Sequence, residues 1–382
     1  MRYPLIRTAA VLLSAVALVA CSSTKKREPA SLVKVEDKIS VESVWSTGVG
    51  KSETFVMRPI LAGDYLYTSA GNGTVTKVEV LTGKKVWEVK APTDISSGPG
   101  SDGNVVVVGS TKGVVYAFDS EGQKIWEEKV GSEVLTEPLV LGGVAVIRTI
   151  DNRFVALDAK TGKRRWSYVR PQTALALRTS FAMVPIASDA FITGFSGGKI
   201  GVMGLASGGV LWEASLAYPK GFSEIERMTD VSARPTLLGR RLCAVAFQGR
   251  IACGDINSGT FTWAKDFSSH TGTAQSQDLV FAADEKSHVV ALKAADGVEV
   301  WRNETMTWRD VGEPLAVGKV LVMGDKQGYL HFLEQTTGIA LARVRVDSSA
   351  LDAAPIVASG LLIVQTRGGS LSAYRPLSLI HI

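Results

Sequence analysis

Few side chains in this 382-residue chain are of the types that do chemistry. It has three Cys and four His. His270, His288, His331 and His381 form no HExxH and no other close metal-ligand pair. No GxSxG nucleophile turn, GxxxxGK[ST] phosphate loop or helix-opening GxGxxG is present. Gly71-Asn72-Gly73 reads as a hairpin turn, not a phosphate cradle. Carboxylates are scattered, and their spacing singles out no catalytic pair. His288 and His331 fall in predicted third strands and read as packing or surface residues. These residues single out no catalytic residue, cofactor or metal site. Cys243 and Cys253 flank a predicted hairpin around Gln248-Gly249 and would face each other across it. A disulfide in an oxidising compartment and two buried free thiols both fit that placement.

The third cysteine, Cys21, ends a segment that reads as an export signal. Arg2 and Arg7 form its positive end, Thr8 to Ala20 is almost wholly apolar, and small residues precede Cys21. That run is too short to span a bilayer comfortably and suits a signal h-region. Leu18-Val19-Ala20-Cys21 resembles the lipobox of bacterial lipoproteins, in which the Cys thiol takes diacylglycerol and the new amine is acylated. Several acyl chains together anchor firmly where one is marginal. The alternative is an ordinary cleaved signal with an incidental Cys. Removing residues 1–20 lowers the formal charge from +5 to +3. Ser22 is not the Asp that favours inner-membrane retention in enterobacteria-like sorting, so the expected address is the outer membrane, facing the periplasm. Residues 21–40 are polar and aperiodic and read as a lipidated flexible tether.

What must position any site is a repeat. Hydrophobic residues make up 46% of the chain, enough for a large core. Basic and acidic residues are interspersed, which argues against nucleic acid as a partner. A Gly followed four residues later by Trp recurs at Gly83/Trp87, Gly122/Trp126, Gly162/Trp166, Gly208/Trp212, Gly259/Trp263 and Gly297/Trp301. Gly338/Ala342 is a seventh copy without Trp, and Trp45 lies one period before Trp87. A period near 40 residues with no helical pattern predicts propeller blades. Each unit reads as four short strands joined by Gly-, Asn- or Asp-rich turns, which tight hairpins need. A Trp at a fixed offset suits packing between blades; ligand stacking is the alternative.

Seven complete units span about 52–345. Residues 354–374 supply three further strands and 41–49 supply one, so the two chain ends together predict an eighth blade. The expected fold is all-β, an eight-bladed β-propeller over residues 41–376, closed by its N-terminal strand. Residues 377–382 fall outside the repeat and read as a non-native tail. Two Trp spacings, 46 and 51 residues, exceed the others. The extra residues fall at 170–182 and 217–231, and insertions in repeat proteins gather on one face, often the binding face.

The units Val155–Trp166 and Val290–Gly297 resemble repeats of the pyrroloquinoline-quinone dehydrogenase type. Such repeats occur in quinoprotein dehydrogenases, with a calcium-quinone site on the propeller axis, and in the BamB family of outer-membrane β-barrel assembly lipoproteins. The chain resembles the second more closely. Leu175-Ala176-Leu177-Arg178 is similar to that family's Leu-Ser-Leu-Arg loop. Glu224-Ile225-Glu226-Arg227-Met228-Thr229-Asp230-Val231 is similar to its Glu-Ile-Asp-Arg-Leu-Ser-Asp-Val segment. Gly324-Asp325 with Gly328-Tyr329-Leu330-His331, and Val346-Asp347-Ser348-Ser349, also resemble family segments. The resemblance implies a non-enzymatic role in inserting β-barrel proteins. It implies binding to the periplasmic POTRA domains of BamA, indirect association with the other assembly-complex lipoproteins, and nascent outer-membrane proteins as a further candidate partner. Carried over, the partner-binding residues are Leu175, Leu177, Arg178 and Asp230. Ser232 replaces a second family acid. A periplasmic quinone-dependent dehydrogenase is the alternative reading.

Overall fold

The computed structural model describes residues 27–171 and 175–376. Within them, 32 strands form eight four-stranded antiparallel sheets. The sheets follow one another as blades 1 to 7, at 60–90, 100–129, 139–169, 183–215, 236–266, 273–303 and 315–345. Blade 8 joins the chain ends. Ile356–Ala358, Leu361–Gln365 and Ser370–Pro376 supply three strands, and Val41–Gly48 adds the fourth, antiparallel from Val41 opposite Pro376 to Gly48 opposite Ser370. This is the eight-bladed propeller with N-terminal closure that the repeat predicts.

Burial follows strand position. Second strands such as Val105–Gly109 are buried on both faces, because each lies between two neighbouring blades. Fourth strands such as Lys85–Lys90 alternate exposed and half-buried residues on the rim. The core is divided accordingly into eight clusters, one at each junction. Blade 2 meets blade 3 through Val107, Ala117, Ile147 and Val155; blade 8 meets blade 1 through Ile363, Ala373, Leu66 and Val78.

The recurrent Trp closes these junctions at one end of the ring. In blades 1 to 7 a β-bulge interrupts the pairing of third and fourth strands beside the connecting turn. In blades 1 to 6 the Trp sits at that bulge, its ring against the turn glycine of the next blade. A Cβ on Gly122 or Gly162 would stand 3.0 or 2.8 Å from the ring of Trp87 or Trp126, and both glycines have positive φ. The indole Nε1 donates to a backbone carbonyl beside the same turn: Trp87 to Ser120 at 2.9 Å, Trp126 to Ala159 at 2.8 Å, Trp45 to Val80 at 2.9 Å. The missing seventh Trp follows from this geometry. In blade 8 the third and fourth strands are the two ends of the chain, so no turn glycine exists there for blade 7 to cover, and Ala342 suffices.

Cys243 and Cys253 are register partners in the middle hairpin of blade 5 and are disulfide-bonded. The expected flexible tether needs correction over its described part. Residues 27–40 lie against blades 6 and 7, because two arginines there offer donors to its backbone. Arg309 donates to the Ala30 carbonyl at 3.0 Å and Arg343 to that of Val33 at 2.9 Å. Ala30 N–H meets Thr307 O at 2.8 Å, and Arg27 stacks over Trp308. Cys21 and residues 377–382 lie outside the described residues.

Candidate functional site at the loop end

Strand alternation gives the ring two unlike ends. One carries the hairpins between third and fourth strands, with their Trp–Gly contacts. The other carries the connections from one blade to the next, including both long insertions. The insertion between blades 3 and 4 presents Leu175, which is 41% exposed, then half-buried Leu177 and exposed Arg178. The insertion between blades 4 and 5 runs beside it and contains Asp230.

Asp230 is not the surface acid that the sequence suggests. It is fully buried. Its backbone bridges the middle hairpins of blades 4 and 5 through Ser196 and Phe247. Its carboxylate accepts the Leu177 N–H at 2.6 Å. Asp230 therefore ties one insertion to the other and sets the course of the chain at Leu177 and Arg178. Burial pushes its pKa up, against the lowering influence of that amide and of Arg148. Arg148 is buried as well. Its guanidinium donates to Thr193 Oγ1 at 2.8 Å and Gly194 O at 2.7 Å, among the rings of Phe154, Phe181 and Phe195. Burial, then the neighbouring Arg170, push its pKa down to about 9. Ser232, the position of the replaced acid, is also buried, and its carbonyl accepts the Ala182 N–H at 3.4 Å.

Arg178 is held rather than loose. Its Nε donates to Glu133 Oε2 at 3.0 Å and its Nη2 to Oε1, a two-point contact with the connection between blades 2 and 3. The other face of the guanidinium stays accessible, since the side chain is 63% exposed.

The insertion that contains Asp230 also carries three exposed apolar residues, Tyr218, Phe222 and Ile225, with Phe222 wholly exposed; the sequence reading named none of them as a site residue. Ser223 and Glu226 fix the turn that carries them. The Glu226 carboxylate accepts the N–H groups of Phe222 and Ser223, while Ser223 Oγ accepts that of Glu226. This is the reciprocal pattern of a capping box, and Ser-x-x-Glu is its signal in sequence.

The propeller axis was also missed. Arg58, Glu137, Arg234 and Glu313 each stand two residues before the first strand of an odd-numbered blade, so their signs alternate around the ring. Arg58 pairs with Glu313 and lies 3.9 Å from Glu137. The readable signal was a charged residue before Pro at every second blade. A calcium-quinone group does not fit these residues. The axial carboxylates are balanced by Arg58 and Arg234, and no group of three His, Cys, Asp or Glu among the described residues could hold a metal ion. Elsewhere, buried His331 lies with its Nε2 2.8 Å from Asp325 Oδ2, which also accepts Arg309 Nε–H at 2.7 Å, while Oδ1 accepts the Gln327 and Tyr329 N–H groups. This cluster supports the docked N-terminal segment.

Fold and site together define a closed β-propeller whose irregular surface is gathered in loops at one end and whose axis is filled by paired charges. A family model described as outer membrane protein assembly factor BamB matches residues 71–303 and 285–378. The chain is 40% identical to the outer membrane protein assembly factor BamB of Burkholderia pseudomallei, over 98% of this chain and 97% of that one. It is 37% identical to the protein of the same name from Bordetella pertussis, over 97% of each. Among solved structures, BamB from Moraxella catarrhalis superposes with a TM-score of 0.81 at 22% identity, covering 88% of this chain and all of that one. A quinohemoprotein alcohol dehydrogenase from Comamonas testosteroni superposes with a TM-score of 0.68 at 13% identity, covering 87% of this chain and 76% of that one, a likeness of fold alone. The chain belongs to the BamB family of outer membrane protein assembly factors.

Proposed function

We propose that this protein is a non-enzymatic scaffold of the outer-membrane β-barrel assembly complex, docking through its loop end on the periplasmic POTRA domains of BamA. The observation that carries this reading is the convergence of Leu175, Leu177 and Arg178, held from beneath by Asp230 and from the side by Glu133. A rigid apolar-plus-arginine patch of this kind suits the centre of a protein interface. Tyr218, Phe222 and Ile225 extend it with aromatic and aliphatic surface. The other lipoproteins of the complex associate through BamA, and nascent barrel proteins are a further partner. Cys21 carries the lipid anchor at the outer membrane, facing the periplasm.

Two measurements test this. Isolated BamA POTRA domains should bind the wild-type chain, and the double variant Leu175→Ala, Leu177→Ala should bind far more weakly at an unchanged unfolding temperature. Equal affinity for both would remove this face from consideration. Cys21→Ala should leave the fold intact, lose palmitate labelling and release the protein from membranes.

A further inference from the structure

Residues 27–40 cross the outer edge of blade 7 from one end of the propeller to the other. At the hairpin end, Lys38 N–H meets the carbonyl of Leu341, at the start of the outermost strand Ala340–Arg345, at 2.7 Å. Midway, Arg343 holds the Val33 carbonyl. At the loop end, Ala30 and Arg27 lie against Thr307 and Trp308, in the connection between blades 6 and 7. The chain therefore reaches Arg27 at the end that carries both long insertions.

The two arginines that fix this course are themselves fixed. Arg309 holds Ala30 with Nη1, while its Nε and Nη2 both lie 2.7 Å from buried Asp325 Oδ2. Arg343 holds Val33 with Nη1 and turns its Nε to His331 Nδ1 at 3.4 Å. Between these points the segment buries little: none of its residues is fully buried, and Ile39 packs beside Leu341 and Val344. Contacts of this kind open more readily than a blade does. Cys21 stands six residues before Arg27 and twenty before Val41. Extended, those lengths reach about 20 Å and about 70 Å. Docking thus cuts the reach of an anchor at Cys21 to less than a third.

We propose that residues 27–40 are a strap that shortens the leash of the lipid anchor and holds the blade 6–7 side of the loop end against a phospholipid surface. The proposal rests on the reading of Cys21 as the lipidated residue. The leash ends in Lys25, Lys26 and Arg27, and basic residues next to an anchor favour anionic lipid. The insertion that contains Asp230 lies on the same end, two blades round the ring. The strap therefore also keeps the docking patch on the membrane side of the propeller.

The test places the palmitate-labelled protein, purified from membranes, in vesicles of phosphatidylethanolamine and phosphatidylglycerol that carry an energy acceptor on their headgroups. A donor dye is attached at Lys326→Cys, at the loop end of blade 7, or at Thr336→Cys, at its hairpin end. Cys243 and Cys253 are bonded to each other, so the introduced thiol takes the dye. Energy transfer should be stronger from Lys326→Cys than from Thr336→Cys. That difference should be lost in the double variant Ala30→Pro, Arg343→Met, which removes two docking bonds. A long Gly-Ser insertion after Ser22 should abolish it too, and this change touches no docked residue. In detergent, trypsin should cut at Lys34 and Lys38 slowly in the wild type and rapidly in the double variant. Absence of palmitate would overturn the anchor reading and the leash with it. Palmitate-labelled protein with equal transfer from both sites, transfer indifferent to the insertion, or rapid cleavage of the wild type would overturn the strap alone.

Discussion

The two ends of the propeller close their blade junctions by different means. At the hairpin end seven junctions use one device, a Trp ring on a positive-φ glycine with the indole N–H on a nearby carbonyl. At the loop end the junctions of blades 3 to 5 share no device. There a buried aspartate holds an amide of the preceding insertion, a buried arginine lies among three phenylalanines, and a surface arginine is clamped by Glu133. Repetition serves stability, because each copy only has to close its own junction. The irregular end is where residues are held in place without closing the core, which is what a recognition surface needs.

The sharpest break of the repeating side is removal of Val41–Gly48. Blade 8 would lose a strand paired along its whole length, and the ring its closure. Unfolding of the entire domain is expected, read as loss of the cooperative thermal transition. Next comes Trp126→Ala, the most buried of the ring tryptophans. It should cost roughly 3–5 kcal/mol by denaturant titration, as large-to-alanine core changes do. Ala342→Trp is its control and should bring no stabilisation, since no turn glycine awaits the ring.

On the irregular side the expected effects are smaller and fall on affinity. Arg178→Ala should weaken POTRA binding by roughly 1–3 kcal/mol, as hot-spot truncations do. Its effect on stability should stay within about 1 kcal/mol, the worth of an exposed ion pair. Glu133→Gln sharpens the comparison. It touches no partner in this reading, yet it should lower affinity by releasing the arginine.

The smallest effects are in pH dependence, and two buried aspartates should oppose each other. Burial raises the pKa of Asp230. Its stabilising share is complete below the ordinary carboxylate range and is lost as pH rises through the raised folded value. Asp230→Asn should therefore gain on the wild type as pH rises through that window. Burial also pushes Asp325 upward, but His331, the Tyr329 amide and Arg309 outweigh it and the net shift is down. Its share is present above the ordinary range and is lost as pH falls through the depressed folded value. Asp325→Asn should be less stable than wild type at neutral pH, with the gap closing in acid. Unfolding temperatures between pH 3 and 7 separate the two, and parallel curves would refute both assignments.

The amino-acid sequence by itself determined the blades, their number and the way the ring closes. Those features rest on local rules: alternation within a strand, turn residues at fixed offsets, and Gly and Trp four residues apart. Even the missing Trp at Ala342 was visible, although its cause was not. Only the tertiary structure decided what converges. Leu175, Leu177, Arg178 and Asp230 were singled out in the sequence, but whether an acid beside an insertion faces solvent depends on the hairpins of two neighbouring blades, and these bury Asp230. The bond between Cys243 and Cys253 was one of two readings until register placed them opposite each other. The docking of residues 27–40 depends on Arg309 and Arg343, far along the chain. The axial quartet draws one residue from each of four blades. The charged residue before Pro recurs in the sequence, but only ring closure brings the four side chains to one axis.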